Sequence, residues 1–160
     1  MAVKWPEHSG LIMRWFRLSG SMSDMDHRVD CTCQPSEALL EACGQFNRGE
    51  WHDSHETLED LWIGSEGEMR AFYQGLLQIA VALYHWHNGN YKGTNILIDS
   101  GMGHLRRVRP VCQRIDVEAL RQAVCRFGEA LMVLGPERMT EVDTRLIPRL
   151  KLSEGGNQWQ

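Results

Sequence analysis

The sequence has 160 residues, of which 42% are hydrophobic and 24% are charged, and its formal net charge is −4 at pH 7. This size is sufficient for one domain with a core of its own. The longest apolar runs are far shorter than the roughly twenty residues of a membrane span, so we expect no membrane partner. The acidic balance also argues against a nucleic-acid partner, because the six arginines between His104 and Arg126 lack interleaved aromatic residues.

The composition predicts three parts along the chain. Residues 1–33 are rich in Met, Ser, Gly and Asp, and their main apolar cluster runs from Leu11 to Leu18. We interpret them as an N-terminal extension that is loosely ordered or contains a short docked helix. Residues 34–152 are predicted to form a helical bundle domain, and residues 153–160 are predicted to be a disordered tail.

The cysteines point to a reducing environment. There are five of them at irregular spacings, and we find no secretory signal. Such an odd set predicts free thiols and a cytoplasmic location. Cys43 and Cys125 fall within helical patterns and are expected to be small core residues. Cys31 and Cys33 are too close in sequence for the usual CxxC geometry, so we expect no metal there.

The hydrophobic pattern predicts an all-α fold, a compact bundle of about five helices built from antiparallel helical hairpins. No strand-like alternation stands out. The third segment is the most hydrophobic and is expected in the middle of the bundle. The fifth has a regular apolar seam for helix packing. The helices are expected at about 35–48, 50–63, 69–87, 91–109 and 116–134.

Two helix–turn–helix stretches form a weak internal sequence repeat with an offset of forty residues. Each copy reads as the end of a helix, a glycine turn, an aromatic residue and a new helix, so we expect two similar hairpins. The aligned positions are Phe46, Gly49, Trp51, His55 and Leu58 in the first copy and Trp86, Gly89, Tyr91, Asn95 and Ile98 in the second.

The same region contains a combination of motifs that is specific, although each motif alone is weak. The motifs are Phe46-Asn47-x-Gly49-Glu50-Trp51, His55-Glu56-x-Leu58-Glu59-x-x-Trp62, Gln74-Gly75-Leu76-Leu77-Gln78-x-Ala80, Tyr84-His85 and Gly89-Asn90-Tyr91-x-Gly93. In this combination, over roughly residues 36–110, the chain resembles the small helical family catalogued as domain of unknown function 309. The resemblance implies an all-helical bundle and brings no established activity.

The candidate site is a polar cluster on the second and third helices. A helical wheel puts His55 and Glu59 at the border of the buried face of the second helix, with His52 and Glu56 more solvated. Polar residues also form a stripe on the apolar third helix, and a buried polar group needs a partner. The polar cluster comprises His55, Glu56, Glu59, Trp62, Gln74, Gln78 and His85.

Three interpretations of this polar cluster remain open from the sequence, and the third of them is a binding site for a small ligand. In the first, it is a structural hydrogen-bond network that fixes the register of the two helices. In the second, His55, Glu59 and His85 bind a divalent transition metal, whose bound water would be a hydrolytic nucleophile. Glu56 or His55 would then be the catalytic candidate. His55-Glu56 lacks the second histidine of a zincin helix, so that class is not indicated.

The sequence therefore leads to a function class without a substrate. We expect a non-enzymatic protein-interaction module that binds a protein partner or forms a homo-oligomer. The alternative is a metal-dependent hydrolase, and whether the chain is an enzyme is left open. One feature that bears on a partner is the charge between Gly49 and Met69, a stretch with seven acidic residues and no Lys or Arg.

Overall fold

The computed structural model describes residues 28–154 of the chain. Five α-helices account for most of this region, so the predicted all-α fold is confirmed. A short antiparallel hairpin separates the last two helices. The elements in chain order are α1 (Glu37–Asn47), α2 (Trp51–Trp62), α3 (Gly67–His87), α4 (Tyr91–Leu105), β1 (Val111–Cys112), β2 (Ile115–Asp116) and α5 (Val117–Leu134), followed by two 3₁₀ helices, Met139–Glu141 and Thr144–Leu146.

The helix α3 is the centre of the bundle, as its composition predicts. It packs against α2 on one side and α4 on the other, and α1 packs against α2. Most of its side chains are buried, including Phe72, Leu76, Ile79 and Leu83. In the part of the chain that the structure describes, no helix combines the length and the apolar character needed to cross a membrane.

Two glycines allow α3 and α4 to approach each other closely. A Cβ atom added at Gly75 would lie 2.5 Å from Leu105 Cδ2, and one added at Gly101 would lie 2.8 Å from Ile79 Cδ1. Both positions are buried. The low helix propensity of glycine is therefore offset here by tight packing between the two helices.

The internal sequence repeat predicts two similar turns, and the turns at Gly49 and Gly89 have the same geometry. Gly49 and Gly89 both have a positive φ, +79° and +74°. In the first turn the backbone N–H of Glu50 donates to Gln45 O at 2.9 Å, and in the second the N–H of Asn90 donates to His85 O at 2.8 Å. A bond that reaches five residues back across a left-handed glycine is the Schellman motif.

The helix α5 covers the bundle with the predicted apolar seam. The ring of Phe127 packs edge-on against Trp86 of α3, with centroids 5.4 Å apart. The indole Nε1 of Trp86 donates to Met139 O at 2.8 Å, which fixes the chain after α5. The fully buried seam residues are Val117, Leu120, Val124, Phe127 and Leu131.

The hairpin of β1 and β2 was not predicted. Val111 pairs with Asp116 and Cys112 with Ile115, and Ile115 forms a further antiparallel bridge with Leu152. Each strand is two residues long, so neither shows the alternation by which a strand is recognised in a sequence.

The cysteine predictions need correction. Cys31 and Cys112 form a disulfide, which contradicts the expectation of free thiols throughout. Disulfides are rare in a reducing cytoplasm, so the cysteines no longer support that location. Cys125 is exposed instead of lying in the core, because its position on α5 faces away from the seam, whereas Cys43 is buried as expected.

The disulfide also bears on the domain boundaries. Residues 28–33 were assigned to a loosely ordered extension, but the backbone N–H of Gln113 donates to Cys31 O at 2.8 Å, and the disulfide adds a covalent link. At the other end, Ser153 N donates to Arg114 O, so the packed region extends past residue 152. The predictions for residues 1–27 and 155–160 lie outside the described residues.

Candidate functional site

The helices α2 and α3 pack antiparallel to each other. Side-chain contacts at both ends of the pair set their register. The ring of His52 lies 5.5 Å from that of Tyr84, at the start of α2 and the end of α3. At the opposite end, the guanidinium of Arg70 lies 4.1 Å above the ring of Trp62. The intervening part of α2 therefore faces the middle of α3, where the predicted polar stripe lies.

His55 and Glu59 occupy the border position that the helical wheel predicts. His55 Nε2 lies 3.7 Å from Glu59 Oε2, and their side chains are 17% and 39% exposed. The equivalent pair one step round the helix, His52 and Glu56, is 58% and 64% exposed with a separation of 3.9 Å. The inner pair is thus the better shielded of the two.

His85 lies at the end of α3 and belongs to the second glycine turn. Its Nδ1 atom is 3.3 Å from the side-chain amide nitrogen of Asn90, which is a donor, so the neutral ring nitrogen accepts. Burial lowers the pKa of His85 below its ordinary value. Both features favour a neutral imidazole that secures the turn between α3 and α4.

The glutamines and the tryptophan of the polar cluster differ in burial. Gln78 is 6% exposed, and its Oε1 atom has no hydrogen-bond donor among the residues that the structure describes. Gln74 is half-buried. Trp62 is partly buried and its Nε1 atom has no acceptor within the described region. These groups line the α2–α3 contact without forming one closed network.

The structure also shows which metal-ligating groups lie together. Within residues 28–154, the group of three or more candidate ligands whose atoms lie within 4.8 Å of one another is His52, Asp53 and Glu56, all exposed. The predicted set of His55, Glu59 and His85 is not such a group. His55 and Glu59 are paired on α2, whereas His85 is held at the turn by Asn90.

Sequence reasoning missed two parts of this surface. Tyr84 lies on the most hydrophobic helix, yet it is 40% exposed and packs beside His52. His52 was considered only as a solvated neighbour of the polar cluster. The sequence offered no clear signal for Tyr84, because consecutive helical residues lie about 100° apart and Tyr84 is therefore off the polar stripe that contains His85.

Comparison with known proteins finds a similarity to one family in this region. Residues 39–97 match the family model described as a domain of unknown function (DUF309). The predicted resemblance to that family is confirmed. The matched segment runs from α1 into α4 and contains the polar cluster, the hairpin turns and the contact between α2 and α3.

A relative from Aquifex aeolicus (strain VF5) supports the same conclusion. This protein, named only as an uncharacterized protein, is 34% identical to the chain over 64 residues. The match covers 39% of the present chain and 19% of the relative, so the chain spans about a fifth of that protein's length. The chain is therefore similar to DUF309 over residues 39–97, and neither match names an activity.

Proposed function

We propose that the chain is a non-enzymatic protein-interaction module that binds through the outer surface of the α2–α3 hairpin. We call this surface the hairpin face and define it by His52, Asp53, Glu56, Asp60 and Tyr84, all of which are exposed. The observation that carries the proposal is Tyr84, a large aromatic residue that stays 40% exposed at the edge of a well-packed bundle. Tyrosine is enriched in the energetic centres of protein interfaces.

The charge around Tyr84 indicates the kind of partner. Three carboxylates of α2, those of Asp53, Glu56 and Asp60, are exposed on the same helix as His52, and no Lys or Arg occurs between Gly49 and Met69. A complementary surface on the partner is therefore basic, and it needs an apolar group to cover the tyrosine ring. The partner is a protein with an exposed Lys- or Arg-rich segment that also carries aliphatic or aromatic residues.

In this proposal the polar cluster stabilises the α2–α3 pair and does not contact the partner. His55 is paired with Glu59, and His85 is in contact with Asn90. Removing either partner from a half-buried pair leaves a polar group without its bond, which costs about 1–3 kcal/mol. In this proposal the cluster keeps α2 and α3 in register, so that His52 and Tyr84 stay side by side.

The experiment requires a defined partner. Proteins cross-linked to the chain in its native cell are identified, and the strongest basic candidate is purified and titrated by calorimetry. Binding should weaken more than about tenfold in Tyr84→Ala and in Glu56→Lys, and it should weaken with added salt. The control is Glu129→Lys, which makes the same charge change at an exposed site on α5. Equal losses in Glu56→Lys and Glu129→Lys, or no loss in Tyr84→Ala, would refute the hairpin face.

A second candidate function, a metal-dependent hydrolase, is favoured by the grouping of His52, Asp53 and Glu56. One imidazole and two carboxylates suit a divalent transition metal and leave coordination positions open for water. The originally predicted set of His55, Glu59 and His85 is the other possible location of such a metal.

Metal analysis separates these possibilities. The metal content of untagged protein, purified without chelator, is compared with that of His52→Ala, His55→Ala and the control His87→Ala. About one equivalent lost in His52→Ala alone assigns the metal to the exposed group. The same amount lost in His55→Ala alone assigns it to the predicted set. Trace metal in all four proteins rejects the hydrolase.

A further inference from the structure

A concave surface lies where the turn after α1 meets the C-terminal segment. It is a cleft of about 240 Å³ lined by residues of the α1–α2 turn and of positions 144–149. Its apolar wall contains Phe46, Trp51 and Ile147, and its charged rim contains Arg48 and Arg149. The cleft does not include any residue of the polar cluster or of the hairpin face.

The two sides of the cleft are held at a fixed distance by Asn47. Its side-chain amide donates to Leu150 O at 2.8 Å, and its side-chain carbonyl accepts from Leu150 N at 2.8 Å. This pair of bonds joins the end of α1 to the C-terminal segment. It resembles the reciprocal N–H···O=C pair between two residues of neighbouring strands. The cleft is therefore formed before any ligand arrives, which reduces the entropy cost of binding.

The floor of the cleft contains a buried donor without an acceptor. Trp51 is 8% exposed, and its Nε1 atom has no hydrogen-bond acceptor among residues 28–154. Its ring atoms Cζ2 and Cη2 lie 3.8 Å from the position of a Cβ on Gly49, which lines the cleft. Cζ2 and Nε1 share one edge of the indole, so the edge that carries the N–H faces the glycine. Trp51 is itself one of the residues that line the cleft, so the indole that carries this donor borders it.

The electrostatics of the cleft favour an anion. The first backbone N–H groups of α2 lie at this end, and the N-cap residue Glu50 makes no side-chain capping bond. The carboxylate of Glu50 is bound to Arg48 at 3.0 Å, and that of Asp143 is bound to Arg145. Arg149 is exposed at the rim. These two carboxylates are thus paired, and Asp53 in the first turn of α2 does not line the cleft, so a helix N-terminus and Arg149 remain for a ligand.

We infer that this cleft binds a small organic oxyanion, meaning a phosphate or carboxylate carried on a compact apolar body. The oxyanion is bound by Arg149, by the N-terminus of α2 and by the indole N–H of Trp51. The apolar body packs against Phe46 and Ile147. The cleft volume is slightly below the range of about 300–1,000 Å³ for typical ligand pockets, so the ligand is of the size of a single substituted ring.

The test uses phenyl phosphate as the probe and the ¹⁵N-labelled chain as the receptor. The indole N–H signal of Trp51, assigned with Trp51→Phe, should move downfield on titration, with a dissociation constant below about 1 mM. Arg149→Gln should weaken binding by about fivefold, and the control Arg126→Gln, on the exposed surface of α5, should not change it. Both arginines are exposed, so neither variant depends on the core.

Two further titrations test each half of the inference. Inorganic phosphate should bind at least fivefold more weakly than phenyl phosphate, and equal affinity would overturn the apolar contribution. Benzyl alcohol should leave the Trp51 signal unchanged, and a comparable shift would overturn the anion contribution. A Trp51 signal that stays still in phenyl phosphate, or a titration unaffected by Arg149→Gln, would overturn the site itself. None of these outcomes depends on a protein partner.

Discussion

Asn47 and Leu150 form a reciprocal pair of 2.8 Å hydrogen bonds although 103 positions separate them in the sequence. The Asn47 side chain serves both the N–H and the C=O of Leu150, so it replaces a neighbouring strand. This contact attaches the C-terminal segment to the hairpin of α1 and α2. No other residue type offers a donor and an acceptor of this reach in the same plane except glutamine.

Asn47→Ala should therefore lower the free energy of unfolding by about 1–3 kcal/mol, because two backbone groups lose their partners. Asn47→Asp keeps the acceptor and loses the donor, so its loss should be intermediate near neutral pH. Urea unfolding measures both. Asn88→Ala removes an exposed amide bonded to Tyr84 O and serves as the control, with a change below about 0.5 kcal/mol. A loss at Asn47 no larger than at Asn88 would contradict the role of the pair.

A glycine inside the α3–α4 contact and an exposed glycine of α4 should respond to alanine in opposite directions. Gly75→Ala places a methyl group 2.5 Å from a Leu105 atom and should cost about 1–3 kcal/mol. Gly103→Ala meets nothing within 4 Å and should stabilise the chain by roughly 0.5–1 kcal/mol through helix propensity. Thermal unfolding of the two variants tests this contrast. Similar changes in both would mean that the helices are not held at the described distance.

Loss of the Cys31–Cys112 disulfide should destabilise the chain. The bond closes a loop with a sequence separation of 81 residues, for which the chain-entropy account gives roughly 4 kcal/mol. Cys31→Ser should therefore unfold at lower urea concentration than the oxidised parent. The same shift should appear in the parent after addition of dithiothreitol. Cys33→Ser keeps the disulfide and is the control, and an equal shift in that variant would reject the assignment of the bond.

Stability should decline as the pH falls from about 7.5 to 5.5. Burial lowers the pKa of His85 and of His104 below the ordinary value of 6.5, with a further contribution from Arg107 at His104. The unfolded chain then takes up protons before the folded chain does. The stabilisation is complete above about pH 6.5 and is lost as the pH falls toward the folded values. His85→Gln should make the decline shallower when urea unfolding is measured across this pH range.

The free thiols should differ sharply in reactivity. Burial raises the pKa of the Cys43 thiol to about 12, and the side chain is inaccessible. Cys125 is exposed on α5. Iodoacetamide should therefore label Cys125 within minutes and Cys43 only in denaturant, as peptide mass spectrometry would show. Rapid labelling of native Cys43 would be inconsistent with the packing of α1.

The helices were predictable because their apolar period is regular and long. The α5 seam residues Leu120, Val124 and Phe127 recur at intervals of three and four, which only a helix places on one side. The hairpin of β1 and β2 had no such signal. Its turn uses Gln113 and Arg114 at positive φ, 45° and 63°, where a sequence reader expects Asn-Gly or Asp-Gly.

The order of burial around α2 was predictable from the sequence. The distances between the polar groups of α2 and those of α3 were not. The wheel placed His55 and Glu59 at the border of burial because both depend on α2 alone. The position of His85 depends on where α3 ends and on its contact with Asn90 in the next turn. The disulfide depends on two segments that meet only in the folded chain, so spacing alone could not pair Cys31 with Cys112.

The matching Schellman turns at Gly49 and Gly89 have a consequence for how the chain folds. Each reverses the chain through contacts five residues apart, so the helices on either side meet with little loss of loop entropy. Topology of this low contact order favours fast folding. During synthesis the α1–α2 hairpin is complete before α5 has been made, and the distant contacts of Cys112 and Leu150 can only close around a bundle that already exists.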